Sequence, residues 1–214
     1  MLWCGFFRSE SSKQTALDRT ISLKNFHGTT ADAVSAMLAQ ARLSGGIVTL
    51  SDRCAQPDQL PLNLNEISIR NGLDQIANID HSRAWIFSSG QILVGNQLLK
   101  KTILSKTVGE VVFKGGEPLS LSTQRLIQSK EVQQQVTRAG LQELSPSLGF
   151  AGVEGQSGQT TSHSVDQPVK RVSHKQLYEA LNALAAARGR VSVWHYEQFS
   201  CGGKQSFRIS WTVE

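Results

Sequence analysis

Apolar residues recur along the chain in a unit that occurs three times. Each copy is a short amphipathic helix, a polar or glycine-containing break, and a strand of β-branched or aromatic residues. In the first copy Val34, Leu38 and Ala41 follow the spacing i, i+4 and i+7, which places one apolar stripe along a helix. The pattern predicts an α+β fold in which helices pack on a small sheet. The three copies lie at 30–50, 69–87 and 172–196.

Strand patterns between these helices predict the order β-α-β-β-α-β, closed by a hairpin, over residues 20–95. Leu60, Leu62 and Leu64 alternate with a proline and an asparagine, which is the pattern of a half-buried strand at a sheet edge. Residues 107–113 indicate one further strand.

Changes in composition divide the chain into segments. Residues 145–168 are rich in Gly, Ser, Thr and Gln, the composition of a flexible linker, so we predict a domain boundary there. The last segment has the order β-α-β-β and about 45 residues, near the lower limit for independent folding, so we expect it to dock on the rest of the chain or on a second copy. The other predicted segments are a flexible lead-in at 1–19, an α+β module at 20–113, a helical connector at 120–144 and the C-terminal half-module at 169–214.

Charge and hydropathy limit the classes of partner. The chain has 214 residues and a net charge of +5, and its basic residues are dispersed except for Lys100, Lys101 and Lys106. Dispersed charge is more typical of a solvated surface than of a nucleic-acid interface. No run approaches the roughly 18–20 apolar residues that span a bilayer, so no membrane span is predicted. The apolar start, residues 1–7, is short for a signal peptide and follows no basic region.

The cysteines and histidines predict no metal or cofactor site. Cys4, Cys54 and Cys201 are too few and too widely spaced for a zinc site, although Cys54 and Cys201 are candidates for a disulfide in an exported chain. The histidines lie singly, and the common catalytic motifs are absent from the sequence, which predicts a protein that is not an enzyme. A thiol nucleophile built from Cys201 and His195 remains a distant alternative.

One predicted strand of the C-terminal half-module carries aromatic residues on one face. Trp194 and Tyr196 project from one side, while Val191 and Val193 project from the other. If the valines face the core, the aromatic side chains lie on a partner-facing surface; burial against the first module is the alternative.

Nucleic-acid binding is the alternative function. The element order overlaps with that of KH-type RNA modules, and Trp194 with Lys100 and Lys101 would supply stacking and charge. A KH module needs a Gly-x-x-Gly loop between two helices, whereas the two matches here, 152–155 and 155–158, fall in the predicted linker.

Residues 21–94 resemble the short N-terminal domain shared by secretins and TonB-dependent receptors of the bacterial cell envelope. The resemblance is carried by the apolar positions of the first strand and helix (Ile21–Leu38), the strands at 47–50 and 60–64, the helix around Leu73 and Ile76, and the closing hairpin at 85–94. It implies a β-α-β-β-α-β module that makes protein–protein contacts, often by pairing a strand with a partner, in the periplasm or cell envelope. Nothing in the chain resembles a secretin pore or a receptor barrel.

We therefore expect a non-catalytic interaction or assembly module without cofactors. Its partner is expected to be another protein, associated with the envelope, and a homo-oligomer and a cytoplasmic location stay open. The predicted contact residues are those of the edge strand and of the aromatic strand face: Leu60, Leu62, Leu64, Trp194 and Tyr196.

Overall fold

A computed structural model of the chain describes residues 16–51, 59–113, 117–144 and 175–214. The fold is α+β, as the sequence predicts, with helices packed on a mixed sheet. The strands are β1 (Thr20–Thr29), β2 (Gly45–Ser51), β3 (Gln59–Ser68), β4 (Trp85–Ser88), β5 (Gln91–Val94), β6 (Leu141–Glu143), β7 (Ser192–Cys201) and β8 (Lys204–Val213). The α-helices are α1 (Thr30–Gln40), α2 (Ile69–Ile79), α3 (Leu119–Ile127), α4 (Lys130–Arg138) and α5 (Leu177–Ala187), with short 3-10 turns at His81–Arg83, Asn96–Lys101 and Ile103–Ser105.

The strands form two sheets. β1 and β3 pair antiparallel as a two-stranded ribbon, and the remaining strands form a six-stranded sheet in the order β4-β5-β2-β7-β8-β6. β2 lies in the middle of that sheet, where Ile47 pairs with Val94 of β5 on one side and with His195 of β7 on the other. Both of these pairings are parallel. The strands of the C-terminal half-module therefore continue the sheet of the first module.

Each face of the six-stranded sheet is covered by its own hydrophobic core. One core joins the ribbon, α1 and α2 to sheet residues such as Ile47 and Val193. The other joins α3, α4 and α5 to Val48, Trp194 and Phe207. Because successive residues of a strand point to opposite faces, β2 and β7 contribute to both cores and are buried on both sides.

Local sequence signals set the ends of the first two helices. Thr29 and Asp32 form a reciprocal capping box at the start of α1, and the Ser68 side chain accepts a hydrogen bond from the amide of Asn71 at the start of α2. The bounds of α2 match the predicted helix at 69–79. The hairpin between β4 and β5 turns at Ser89 and Gly90, both with positive φ.

The structure corrects three details of the predicted segments. Residues 120–144 do not form one helix. Ser129 takes an extended conformation and separates α3 from α4, and Gly140, with a φ of 62°, lies between α4 and strand β6. Residues 107–113 contain no regular strand, and Thr107 forms only an isolated bridge with Gln176. Leu17 is buried in the core, so the folded chain begins earlier than the predicted boundary after residue 19.

Several predicted features lie outside the described residues: the linker at 145–168, the strand at 169–172, Cys4 and Cys54. In the part of the chain that the structure describes, no helix is long and apolar enough to cross a membrane.

Candidate partner-binding edge

β3 presents Leu62 and Leu64 to the core, and exposed residues alternate with them. Leu62 and Leu64 are 6% and 1% exposed and belong to the core beneath the ribbon, whereas Pro61, Asn63 and Asn65 are exposed. Phe26 and Leu23 of β1 pair with Leu62 and Leu64 across the ribbon. The predicted alternation is therefore confirmed for these two leucines, but their side chains are not available to a partner. The backbone of Leu60 pairs with Gly28.

The two outer edges of the ribbon differ. On β1, the amide of Ser22 donates to Gln40 Oε1 and Gln40 Nε2 donates to the Ser22 carbonyl, each at 2.9 Å. A side chain of α1 therefore occupies the hydrogen-bonding groups of one of the ten residues of β1. Each strand of the ribbon pairs with the other on one side and meets no strand on its other side among the described residues. The edge of β1 is partly occupied in this way, so β3 has the more open edge.

The aromatic strand face of β7 is buried, which contradicts its predicted role as a partner surface. Trp194 and Tyr196 are both 0% exposed. Trp194 Nε1 donates to Asn182 Oδ1 of α5 at 2.8 Å. Tyr196 stacks on Phe207 with ring centroids 5.9 Å apart. Burial, the alternative in the sequence analysis, is the arrangement found, because α3, α4 and α5 cover the face opposite Val193.

His195 lies in a polar row on the other face of β7. Its Nε2 is 2.9 Å from Thr49 Oγ1, and Arg83 Nη1 donates to the same hydroxyl oxygen at 2.9 Å. The Thr49 hydroxyl therefore links the imidazole to the guanidinium. Burial lowers the pKa of His195 to about 4, and the charges of Arg208 and Arg83 act in the same direction. His195 is therefore neutral near pH 7.

Cys201 and its neighbours do not form a thiol nucleophile. The Cys201 sulfur is in a disulfide bond, so it supplies no thiolate, and its bonding partner lies outside the described residues. Glu197, which shares the face of β7 with His195, instead accepts a hydrogen bond and ion pair from Arg208 Nε at 2.5 Å.

The features that would support nucleic-acid binding do not converge. Lys100 and Lys101 are exposed on the 3-10 turn that follows β5, but Trp194 is buried in the core and offers no face for base stacking. Both Gly-x-x-Gly matches lie outside the described residues.

Sequence reasoning missed two residues that define the open edge. Gln40 distinguishes β1 from β3, and no spacing rule pairs a helix-terminal glutamine with a strand 18 residues earlier. Asn63 was identified only as a spacer between leucines, although the period of two that turns Leu62 and Leu64 inward also turns the asparagines outward.

Neither a metal site among the described residues nor a similar known protein assigns a function to the chain. Over the described ranges, no group of three or more His, Cys, Asp or Glu side chains is arranged to hold a metal ion. Comparison of the chain with protein-family models, with curated proteins and with solved structures finds no match.

Proposed function

We propose that this chain is a non-catalytic interaction or assembly module of the bacterial cell envelope, and that it binds a partner protein by strand addition at the outer edge of β3. The element order from β1 to β5 supports the proposal, because it is the order on which the resemblance to the secretin and TonB-receptor domain rests. The observation that carries the proposal is the open edge of β3, beside a β1 edge on which Gln40 binds the backbone of Ser22.

The chemistry of this edge favours recognition through the backbone. In strand addition the main-chain hydrogen bonds provide affinity, and the outward side chains of the receiving strand contribute to selectivity. On β3 the exposed residues are Pro61, Asn63, Asn65 and Glu66, of which Glu66 is charged. The partner strand is thus expected to contact polar side chains, while Leu62 and Leu64 hold β3 on the core.

A second edge is already used within the chain. β2 would be the outer strand of the first module, but β7 pairs with it in parallel over seven residue pairs, from Gly45 with Val193 to Ser51 with Phe199. The C-terminal half-module therefore occupies the edge of β2. Among the described residues, β4 at the end of the six-stranded sheet and the ribbon still have sides that meet no strand; the proposal takes the ribbon because β3 has ten residues and β4 has four.

The disulfide at Cys201 supports an envelope location. Stable disulfides form in oxidising compartments such as the bacterial periplasm and are rare in the cytoplasm. We also propose Cys54 as the partner of Cys201. Ser51 of β2 and Phe199 of β7 are opposite each other, and the two strands run in the same direction toward these cysteines.

The test is a charge placed at the open edge. Asn63→Lys with Asn65→Lys adds two cations to exposed positions of β3, a change that blocks strand addition without touching the core. Gln134→Lys with Thr137→Lys, on the exposed side of α4, is the matched control. Each protein is used to capture partners from an envelope extract after nuclease treatment and a moderate-salt wash.

The proposal predicts that the β3 variant melts like the wild type and loses a protein partner that the α4 variant retains. Equal recovery by both variants would show that the β3 edge is not the binding site. Recovery of nucleic acid alone from untreated extract, released by salt, would favour the nucleic-acid alternative instead.

A further inference from the structure

The six-stranded sheet ends in an open strand that carries no charged side chain. β4 (Trp85–Ser88) pairs with β5 on one side and meets no strand on its other side among the described residues. The other described strands with an open side each contain a charged residue: Lys24 on β1, Glu66 on β3 and Glu143 on β6. A charge on an edge strand disfavours pairing with an identical strand, because the second copy brings a like charge to the same edge. β4 has no such barrier.

The hairpin geometry determines which backbone groups of β4 face outward. Ser88 precedes a two-residue turn, so its amide and carbonyl bond to β5, and this inward orientation recurs at every second residue. Ala84 lies an even number of positions before Ser88, and its carbonyl accepts from the amide of Gly95 at 2.8 Å, in agreement with this alternation. The amides and carbonyls of Trp85 and Phe87 therefore face away from β5.

The side chains of β4 divide between the two faces of the sheet. Ile86 points to the same face as its pairing partner Leu93, but it is 40% exposed, whereas Leu93 is buried. Trp85 and Phe87 lie on the opposite face, half-buried against the core beneath the ribbon. Trp85 Nε1 donates to Asp74 Oδ1 of α2 at 2.9 Å, which fixes the indole without any partner. The exposed apolar side chain at this edge is therefore that of Ile86.

From the open edge, its outward backbone groups and its lack of charge, we infer that β4 pairs antiparallel with β4 of a second copy of this chain, about a two-fold axis at Ile86 that is perpendicular to the sheet. In this register Trp85 of each copy lies opposite Phe87 of the other. Both residues have outward amides and carbonyls, so every outward group of these two residues is paired. An axis at Trp85 or at Phe87 would instead place one of them opposite a residue outside β4.

The same register matches the side chains. The two copies of Ile86 form the non-hydrogen-bonded pair on the axis, where Cα atoms are about 4.5 Å apart and side chains touch. On the other face Trp85 lies opposite Phe87 of the second copy, and aromatic pairs across two strands stabilise a sheet. The second copy thus covers the exposed isoleucine and extends the sheet without a break.

The size of the contact sets its strength. Stable protein interfaces bury roughly 1,200–2,000 Å² in total, and a pair of four-residue strands covers less, so the dimer is expected to be weak, with a Kd of about 10–100 µM. The inference goes beyond the proposed function, because it concerns a different sheet and a different partner and does not require the edge of β3.

Sedimentation velocity of the full chain over concentrations from about 1 to 300 µM measures this self-association. Ile86→Lys removes the apolar contact and places two lysines opposite each other on the axis, so dimerisation should weaken by at least about tenfold. Val112→Lys, at another exposed apolar residue, is the matched control and should dimerise like the wild type. Both variants should melt like the wild type, because Ile86 and Val112 are 40% and 47% exposed.

Ile86→Cys tests the register. Two thiols on the axis have the Cα separation of about 4.5 Å that a disulfide accepts, so mild oxidation should join position 86 of one copy to position 86 of the other, as found by peptide mapping without reduction. Ser88→Cys is the control on the same strand. In this register the two copies of position 88 lie at opposite ends of the paired strands, beyond the reach of a disulfide, and should not be joined.

Three outcomes would overturn the inference. A wild-type chain that stays monomeric throughout the concentration series would show that β4 does not bind a second copy, and a protein from an envelope extract that only Ile86→Lys fails to capture would be its occupant instead. Equal dimerisation of the Ile86→Lys and Val112→Lys proteins would place the contact elsewhere. Disulfide formation at position 88 as fast as at position 86 would refute the register.

The two proposals fail separately. Asn63→Lys with Asn65→Lys should dimerise like the wild type, because β3 lies in the ribbon and not in the six-stranded sheet. Loss of the dimer in that variant would place the self-contact at the edge of β3 and refute pairing through β4. Ile86→Lys should still capture the protein partner that the β3 variant loses.

Discussion

At Gly46 of β2 the first module packs directly against Trp194 of the C-terminal half-module. A Cβ atom added to Gly46 would lie 2.1 Å from Cε2 and Cζ2 of Trp194, a separation that real Cβ atoms essentially never show. The indole is fully buried and cannot move without breaking its hydrogen bond to Asn182. Overpacking and the loss of a buried hydrogen bond each cost roughly 1–3 kcal/mol, so Gly46→Ala should lower the free energy of unfolding by about 3 kcal/mol.

Urea unfolding followed by circular dichroism measures this free energy directly, and the melting temperature should fall by about 6–12 °C for a chain of this length. Trp194→Leu provides the control, because leucine lacks the ring atoms Cε2 and Cζ2 that the new Cβ would meet. In that background Gly46→Ala should cost less than about 1 kcal/mol. The same cost in both backgrounds would show that the close approach of Trp194 is not what excludes a side chain at position 46.

Two further predictions concern His195 and Cys201. The pKa of His195 is lowered to about 4 from its ordinary value of 6.5, so its contribution to stability is complete above pH 6.5 and is lost as the pH falls toward 4. Unfolding midpoints measured across that range should decline less steeply in His195→Gln, and equal slopes would contradict the burial of a neutral imidazole. Cys201→Ser should lower the free energy of unfolding by about 2–4 kcal/mol under oxidising conditions and should abolish the stability difference that a reducing agent produces in the wild type. Peptide mapping without reduction should find Cys201 joined to Cys54; a Cys201–Cys4 peptide would refute that pairing.

Local patterns were sufficient to predict much of the first module. The spacing of Val34, Leu38 and Ala41 predicted α1, and a weaker stripe of Leu73, Ile76 and Ala77 predicted α2. These predictions succeed because a helix or strand in contact with one core shows its period directly in the sequence.

The arrangement of the C-terminal half-module could not be predicted in the same way. β7 is buried on both faces, so alternation along it does not distinguish an inward from an outward face. Val193 lies in one core as predicted, but its pattern did not reveal that Trp194 and Tyr196 face a second core. The parallel pairing of β7 with β2 joins residues 148 positions apart, such as Gly45 with Val193, and no local signal encodes it.

The candidate site was predicted in outline and corrected in detail. Alternation at 60–65 predicted an edge strand, but Leu62 and Leu64, two of the leucines that define the pattern, face the core. The difference between the two edges of the ribbon depends on Gln40, whose side chain binds the backbone of Ser22 on β1 through two hydrogen bonds that only the folded chain brings together.

Site-specific photo-crosslinking tests the central claim most directly. A photoreactive benzoylphenylalanine placed at position 63 on β3, and in a control protein at position 134 on α4, reports which protein lies within reach of each surface in living cells. The account predicts a discrete cross-linked protein partner from position 63 that is absent from position 134. The same partner cross-linked equally from both positions, or from position 134 alone, would contradict binding at the edge of β3.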